Sequence, residues 1–436
     1  MTDEKKKLWI DKFISNFSWV KSTTKTQNYE LLRLTIATQF FPPDYAATGQ
    51  LIQELAANLS NYKIQPSIFT GQPAYAFTKA HAPNKEITAK QVKIRRTRTT
   101  KFWSKRVRGK TLNGLFFCLR AGLHVLLHHR EIDVLLLTTA PPFLSVIGYI
   151  ANLLFGIPYV CLIYDLYPDV VTELGVSEDD SSIVKAWHGV NRLVWQRASN
   201  IIVLNSTMEN RLLDRHPYLK DKVAVIHNWA DAEEIKPIDK QKNRFAKEHQ
   251  LDRQFTVLYS GNLGRCHDAE TIMATVKLLK DEPIQFVFVG AGAKYEECLQ
   301  KISAMRINNC QFLPYQPKEM LPYSLSSADL ALVSIAPGME GVVAPSKLYG
   351  VMAAGVAIAA ICEPHSYLYR LINDLGCGVC VNNNDAERLA NFIRDLAANP
   401  KKAKAMGKIG RRYLLGNFTP KIIAERYAKI IKQGIF

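Results

Sequence analysis

The sequence predicts an α/β protein of two doubly wound parallel-sheet domains facing each other across a cleft, and three observations carry that prediction. Apolar strand-like runs alternate with helix-period segments along most of the chain, the pattern of parallel strands joined by right-handed crossovers. The alternation breaks once, at the polar stretch IKPIDKQKNRFAKEHQLDRQ, and then begins again. Glycine-bearing turns follow strand ends in the second half, the place where open sheets bind ligands. A chain of 436 residues also exceeds the span one hydrophobic core usually organises. With 47% apolar and 22% charged residues, disorder, collagen and a small disulfide scaffold are excluded.

The elements follow in order. Residues 1–29 form an extension in which Trp9, Phe13, Phe17 and Val20 recur near helical spacing among lysines. An amphipathic helix is expected there, packed either on the protein itself or on a lipid interface. Asp11 interrupts the first apolar stretch, which argues against a cleavable signal and gives a cytoplasmic expectation. LLRLTIATQFF at 31–41 reads as the first strand. PPDYAATG then enters a helix marked by Leu51, Leu55 and Leu59, with Thr48 as N-cap and Gly49 at the opening, where free N–H groups can hold a phosphate. Further strands are expected at 133–139, 159–165 and 200–206. The apolar run from Phe143 to Ile163 is nominally long enough to span a bilayer, but Gly156 and Pro158 divide it into a buried helix and a central strand. A first domain over 30–232 results.

The second domain, 233–418, has expected strands at 255–261, 286–292, 330–335 and 357–361. Thr419 and Pro420 form an N-cap and first-turn pair for a last helix, 419–436, which can pack back on the first domain. Among eight cysteines only Cys377 and Cys380 have C-x-x-C spacing, in the strand-like LGCGVCV, so structural thiols in a reducing compartment are expected. His124 and His128 share a helix face, but Val125 stands where a zinc protease needs its glutamate, and no metal site is expected.

The residues fit for chemistry gather after strands. In YSGNLGRCHD, Gly261 and Gly264 let the backbone approach a ligand, while Asn262, Arg265 and His267 can donate hydrogen bonds. Gly290 and Gly292 make a G-x-G turn after FVFV. In GMEGVVAPSKLYGVMAAG, Lys347 can neutralise phosphate oxygens as a point charge and Glu340 can accept hydrogen bonds from sugar or ribose hydroxyls.

The ordered set LTIATQFFPPDYAATGQ, YDLYPD, VIHNWAD, YSGNLGR, FVFVGAG and APSKLYGVMAAG resembles glycosyltransferase family 4, particularly members that build exopolysaccharide repeat units on a lipid carrier. The resemblance covers about residues 31–433 and implies the two-Rossmann GT-B fold. It also implies transfer of a sugar from a nucleotide donor with retention of configuration, without a cofactor or required metal. In the family an arginine and a lysine hold the leaving diphosphate, and two glutamates hold the donor. The matching positions here are Asn262 and His267, and Val342 and Gly350, so the sequence departs at all four. Lys347 and Arg265 are therefore the expected cations, and Asp165 in YDLYPD matches the residue that faces the reacting sugar. The implied donor set comprises Gly49, Gly261, Asn262, Leu263, Gly264 and His267 from the first-strand loops. Gly290, Gly292, Glu340, Pro345, Ser346 and Leu348 complete it.

Partners follow from charge. The net +17 points to an anionic one, and Lys90–Lys110 alone holds ten basic residues and no acid, directly before an apolar helix. Basic residues beside apolar ones fit the inner face of the plasma membrane and a polyprenyl-linked or saccharide acceptor better than a nucleic-acid groove, where aromatics interleave. Two other readings stay open: a nucleotide-sugar 2-epimerase of the same fold, and a basic nucleic-acid-binding protein.

Overall fold

A computed structural model describes residues 31–44, 46–73, 82–88, 90–98 and 107–435, with backbone alone at 107–111. The expected amphipathic extension and part of the basic stretch lie outside the described residues.

The first domain holds β1 (Leu32–Ala37), α1 (Ala47–Leu59), β2 (Ile64–Gly71), β3 (Lys85–Ile87), β4 (Lys93–Thr97) and α2 (Val107–His128). It continues through β5 (Val134–Thr138), α3 (Ser145–Phe155), β6 (Tyr159–Ile163), α4 (Asp169–Glu173) and α5 (Ser182–Arg197). β7 (Asn200–Val203), α6 (Ser206–Arg215) and β8 (Val223–Val225) complete it. The sheet order is β3-β4-β2-β1-β5-β6-β7-β8, parallel except for β3 against β4. Its central strands β5 and β6 are buried throughout, which is why their sequence reads as continuous apolar runs.

The second domain begins with α7 (Arg244–Glu248), β9 (Phe255–Asn262), α8 (Ala269–Leu278), β10 (Ile284–Ala291), α9 (Tyr295–Ala304) and β11 (Cys310–Leu313). There follow α10 (Leu321–Ser326), β12 (Leu330–Ser334), α11 (Lys347–Ala354), β13 (Ala357–Ile361), α12 (Tyr367–Leu375) and β14 (Gly378–Val381). The last helices are α13 (Ala386–Ala398), α14 (Pro400–Asn417) and α15 (Pro420–Gln433). All strands of its sheet, ordered β11-β10-β9-β12-β13-β14, run parallel.

α15 starts at the Thr419 cap, whose side chain accepts from Ile422 N, and lies against α1 of the first domain. Trp229 links the two halves as well: its Nε1 donates to Glu54 of α1 at 2.9 Å and its ring meets Tyr427 of α15 edge-on. One apolar core accordingly runs from the α1 side of the first sheet into the second domain.

Five strands escape the sequence pattern: β2, β3, β4, β8 and β11. β2 carries Pro66, and β4 hides in the basic stretch, where charged residues mask the alternation. Arg96 on β4 is buried, donates to the Pro42 carbonyl at 2.9 Å and pairs with Glu86, so this part of the stretch is sheet rather than a solvated loop.

Candidate active site

The site forms where the carboxyl ends of β9, β10 and β12 meet the start of α11. Lys347 is the first residue of α11. Its ammonium lies 4.0 Å from the centre of the Tyr259 ring, hydrogen-bonds the Tyr259 hydroxyl and reaches the Asn262 carbonyl at 3.4 Å. A Cβ at Gly261 would stand 3.6 Å from Lys347 Cε, so the glycine leaves the lysine stem lying along the strand end. Burial, with no carboxylate partner among the described residues, lowers the Lys347 pKa to about 7. This is a cation held in readiness for an anion that the protein does not itself supply.

The glycines beside it set the backbone. Gly290 has φ +140°, and a Cβ there would fall 2.2 Å from the Gly261 carbonyl oxygen. Gly292 has φ +147° and would clash with the Leu263 carbonyl at 2.3 Å. Gly290→Ala is expected to cost about 1–3 kcal/mol in urea unfolding, because both the dihedral and the close approach forbid a side chain. Gly264 is tight for a different reason, since its Cβ would meet Asn262 Nδ2 at 2.9 Å.

Several expected donor residues turn out to be structural. The Gly49 N–H is taken by the Ala46 carbonyl at 3.0 Å, and its bare Cα packs against Phe40 and Phe41. α1 begins with Ala46 as N-cap, so Thr48 lies inside the helix instead of capping it. Leu263 donates its N–H to Ala291 O at 2.7 Å and accepts Lys294 N at 3.0 Å, riveting two loops together with neither group left for a ligand. Leu348 is fully buried core, and Pro345 is buried behind Ser346, the N-cap of α11.

His267 is not a cation. Burial first, then the nearby Lys347 charge, push its pKa down to about 3. Its Nδ1 sits 2.9 Å from the Ser334 carbonyl, so Nδ1 carries the hydrogen and Nε2 is left as an acceptor. Arg265 on the same loop is exposed, as is Asn262. Lys294, missed in the sequence, donates to the His267 carbonyl at 2.9 Å and pairs with Glu270, which fixes the loop.

The positions matching the family's two glutamates hold neither charge nor room. Val342 is buried, and a Cβ at Gly350 would already touch Leu325 at 3.3 Å. Glu340 is buried as well. Its Oε1 accepts Glu363 N at 3.0 Å while its Oε2 has no hydrogen-bond partner, and desolvation lifts its pKa to about 7. Donor atoms of Glu340, Glu363 and His365 lie within 4.8 Å of one another, the one gathering of metal-ligand types among the described residues.

The first domain supplies Asp165, just beyond β6. The Thr139 hydroxyl accepts the N–H groups of Tyr164 and Asp165 at 3.1 and 3.3 Å and fixes the turn. The next residue crosses to the second domain, Leu166 N donating to Val342 O at 2.9 Å. The negative charge of Asp165 helps to raise the Cys266 thiol pKa, after burial, so Asp165 lies near the Asn262–His267 loop. Burial raises its pKa to about 6. Arg211 ties the domains beside it, bonding Asp169, Glu173 and the Gly338 carbonyl. Sequence spacing gives no sign of that clamp.

His124 stacks on Phe69 at 4.5 Å, and burial holds its pKa near 4. Cys377 and Cys380 are buried free thiols.

Comparisons with known proteins agree with this geometry. The family model described as "Glycosyl transferase 4-like domain" matches residues 47–229, and "Glycosyl transferases group 1" matches residues 239–413. The chain is 25% identical over 303 residues to a probable glycosyltransferase, WbjE of Pseudomonas aeruginosa, covering 70% of this chain and 75% of that one. It is 29% identical over 206 residues to a putative colanic acid biosynthesis glycosyl transferase, WcaI of Escherichia coli, covering 46% of this chain and 50% of that protein. Its fold is similar to Anabaena HepE solved with UDP and glucose, with a TM-score of 0.68 at 15% identity, covering 92% of this chain and 99% of that one. With the two family models matching the two sheet-bearing halves, the chain belongs to glycosyltransferase family 4 and is a glycosyltransferase of the GT-B fold.

Proposed function

We propose that the protein moves a sugar from a nucleotide-sugar donor to a saccharide acceptor carried on a polyprenyl lipid, in the assembly of a cell-surface polysaccharide, at the inner face of the plasma membrane. The observation that carries the donor half is Lys347, an ammonium packed on Tyr259 at the start of a helix, beside Gly261 and Gly290. A donor diphosphate seated there meets a side-chain cation, the helix dipole and backbone that approaches closely. Charge developing on the leaving diphosphate is met by Lys347 and the exposed Arg265, so the reaction proceeds without a metal. The neutral His267 Nε2 accepts a donor hydroxyl. Asp165 lies near the loop on the acceptor side and orients the attacking hydroxyl on the donor face from which the diphosphate departs, which retains configuration.

HepE solved with UDP and glucose supports a uridine diphosphate donor, and the names of WbjE and WcaI support the polysaccharide setting. Melting curves across a panel of nucleotide sugars test the reading: the correct donor at 100 times its Kd adds about 2.7 kcal/mol of stability. No shift with any donor would refute it.

A further inference from the structure

The first domain has two helical faces, and they differ. α1 packs under α15, whereas the opposite face, made of the neighbouring helices α2, α3 and α5, is open. Leu115, Leu119, Leu123 and Leu127 of α2 are exposed, Leu119 by 62% and Leu127 by 67%. Ile150, Leu153 and Leu154 continue the plane on α3, and Ile183 (74% exposed) and Leu193 carry it across α5. An apolar plane spread over three helices is far more than the scattered leucines of an ordinary surface.

Its charge is one-sided. None of the three helices contains an aspartate or glutamate, while Arg130, Lys185, Arg192 and Arg197 are exposed along them or at their ends. Acids return only in the segments that connect these helices to the strands, at Glu131, Asp133, Asp165, Asp169, Glu173 and 178–180. No helix among the described residues is long and apolar enough to cross a membrane, so the plane lies on a surface instead of spanning one.

We propose that the α2–α3–α5 face is the surface by which this protein docks on an anionic lipid bilayer. The exposed leucines enter the acyl boundary and the flanking cations meet the headgroups. A second copy fits poorly, because two-fold pairing would set acid-free, cationic helices against each other. Orientation favours the lipid too. Each helix returns the chain from the carboxyl end of one strand to the start of the next, so the amino ends of all three point to the cleft. The Cβ position of Gly114 on α2 is 2.9 Å from Pro141 in the loop after β5. Trp187 of α5 lies 4.4 Å from Phe143 and 5.7 Å from Tyr167, which stands two residues from Asp165. An aromatic step thus joins the plane to the acceptor carboxylate. That last link rests on the lipid-linked acceptor proposed above; the docking surface does not.

The test is co-sedimentation of the full chain with vesicles of phosphatidylcholine alone and of phosphatidylcholine with phosphatidylglycerol. Wild type is expected to partition onto the anionic vesicles. Leu119→Glu with Leu154→Glu removes two inserted side chains and is expected to weaken partitioning by roughly a hundredfold. Leu278→Glu, at an exposed leucine on α8 away from this face, is expected to bind as wild type. Wild-type binding by the double variant overturns the proposal, and so does indifference of the wild type to both vesicles. A concentration-dependent dimer dispersed by the same double variant would give the face to a second copy and overturn it equally. Stabilisation by UDP, measured on the same samples, reads the donor site separately, so the transferase reading stands or falls on its own.

Discussion

Lys347→Ala is expected to lower turnover roughly 10²–10³-fold with the fold intact, the range seen when one preorganised donor to developing oxyanion charge is removed. The expectation is this large because neither neighbour substitutes. His267 is neutral at physiological pH, and Asn262 replaces the family's arginine with a group that cannot carry charge. The same lysine sets a pH signature. Its pKa near 7 in the free protein means that donor binding takes up a proton above pH 7, so UDP affinity, measured calorimetrically, weakens as pH rises toward 9. Stability moves the other way. In the unfolded chain the ammonium titrates near 10.5 and in the folded protein near 7, so across that window the unfolded state binds more protons and stability rises with pH. At pH 7 and below the folded protein carries the buried charge at a cost. Lys347→Met is therefore expected to raise the Tm of the ligand-free protein while lowering turnover as far as Lys347→Ala does. A fall in Tm would show the ammonium to be structural.

Asp165→Asn is expected to reduce kcat about a hundredfold, with the donor-induced thermal shift unchanged, since positioned proton-accepting groups contribute about 10²–10⁴-fold. The amide keeps the shape and the Thr139 contacts to the backbone, so the change isolates the carboxylate. Burial raises the Asp165 pKa to about 6, and the wild-type rate should fall as pH drops through that value. Loss of this acid limb in the asparagine variant ties it to Asp165. An undiminished kcat would remove the residue from the acceptor site.

How much of this was legible depended on burial. Central strands such as β5, β6 and β13 are covered on both faces and read as plain apolar runs, whereas β4 carries Lys93, Arg95 and Arg96 and gives no such signal. Lys347 was found because its glycine- and proline-framed motif is unusual for a surface lysine. Tyr259, its partner, was hidden inside an apolar strand, where an aromatic looks like any core residue. Gly49 and Leu263 misled for the same reason in reverse. A glycine in the first turn of a helix or a leucine at a strand end is equally suited to ligand contact and to close packing, and only the hydrogen bonds made by their backbone groups decide which.

The sequence by itself determined the two parallel-sheet halves, the strand ends that carry the site and the family, because periodicity and turn chemistry are local properties that neighbouring residues set. Which groups bear charge was decided by the tertiary structure alone. Ser334 lies 67 residues from His267 and Tyr259 lies 88 from Lys347, yet these neighbours fix whether the imidazole is neutral and where the ammonium sits. Protonation and acceptance follow from desolvation and from partners distant along the chain, and no local pattern of residue types encodes either.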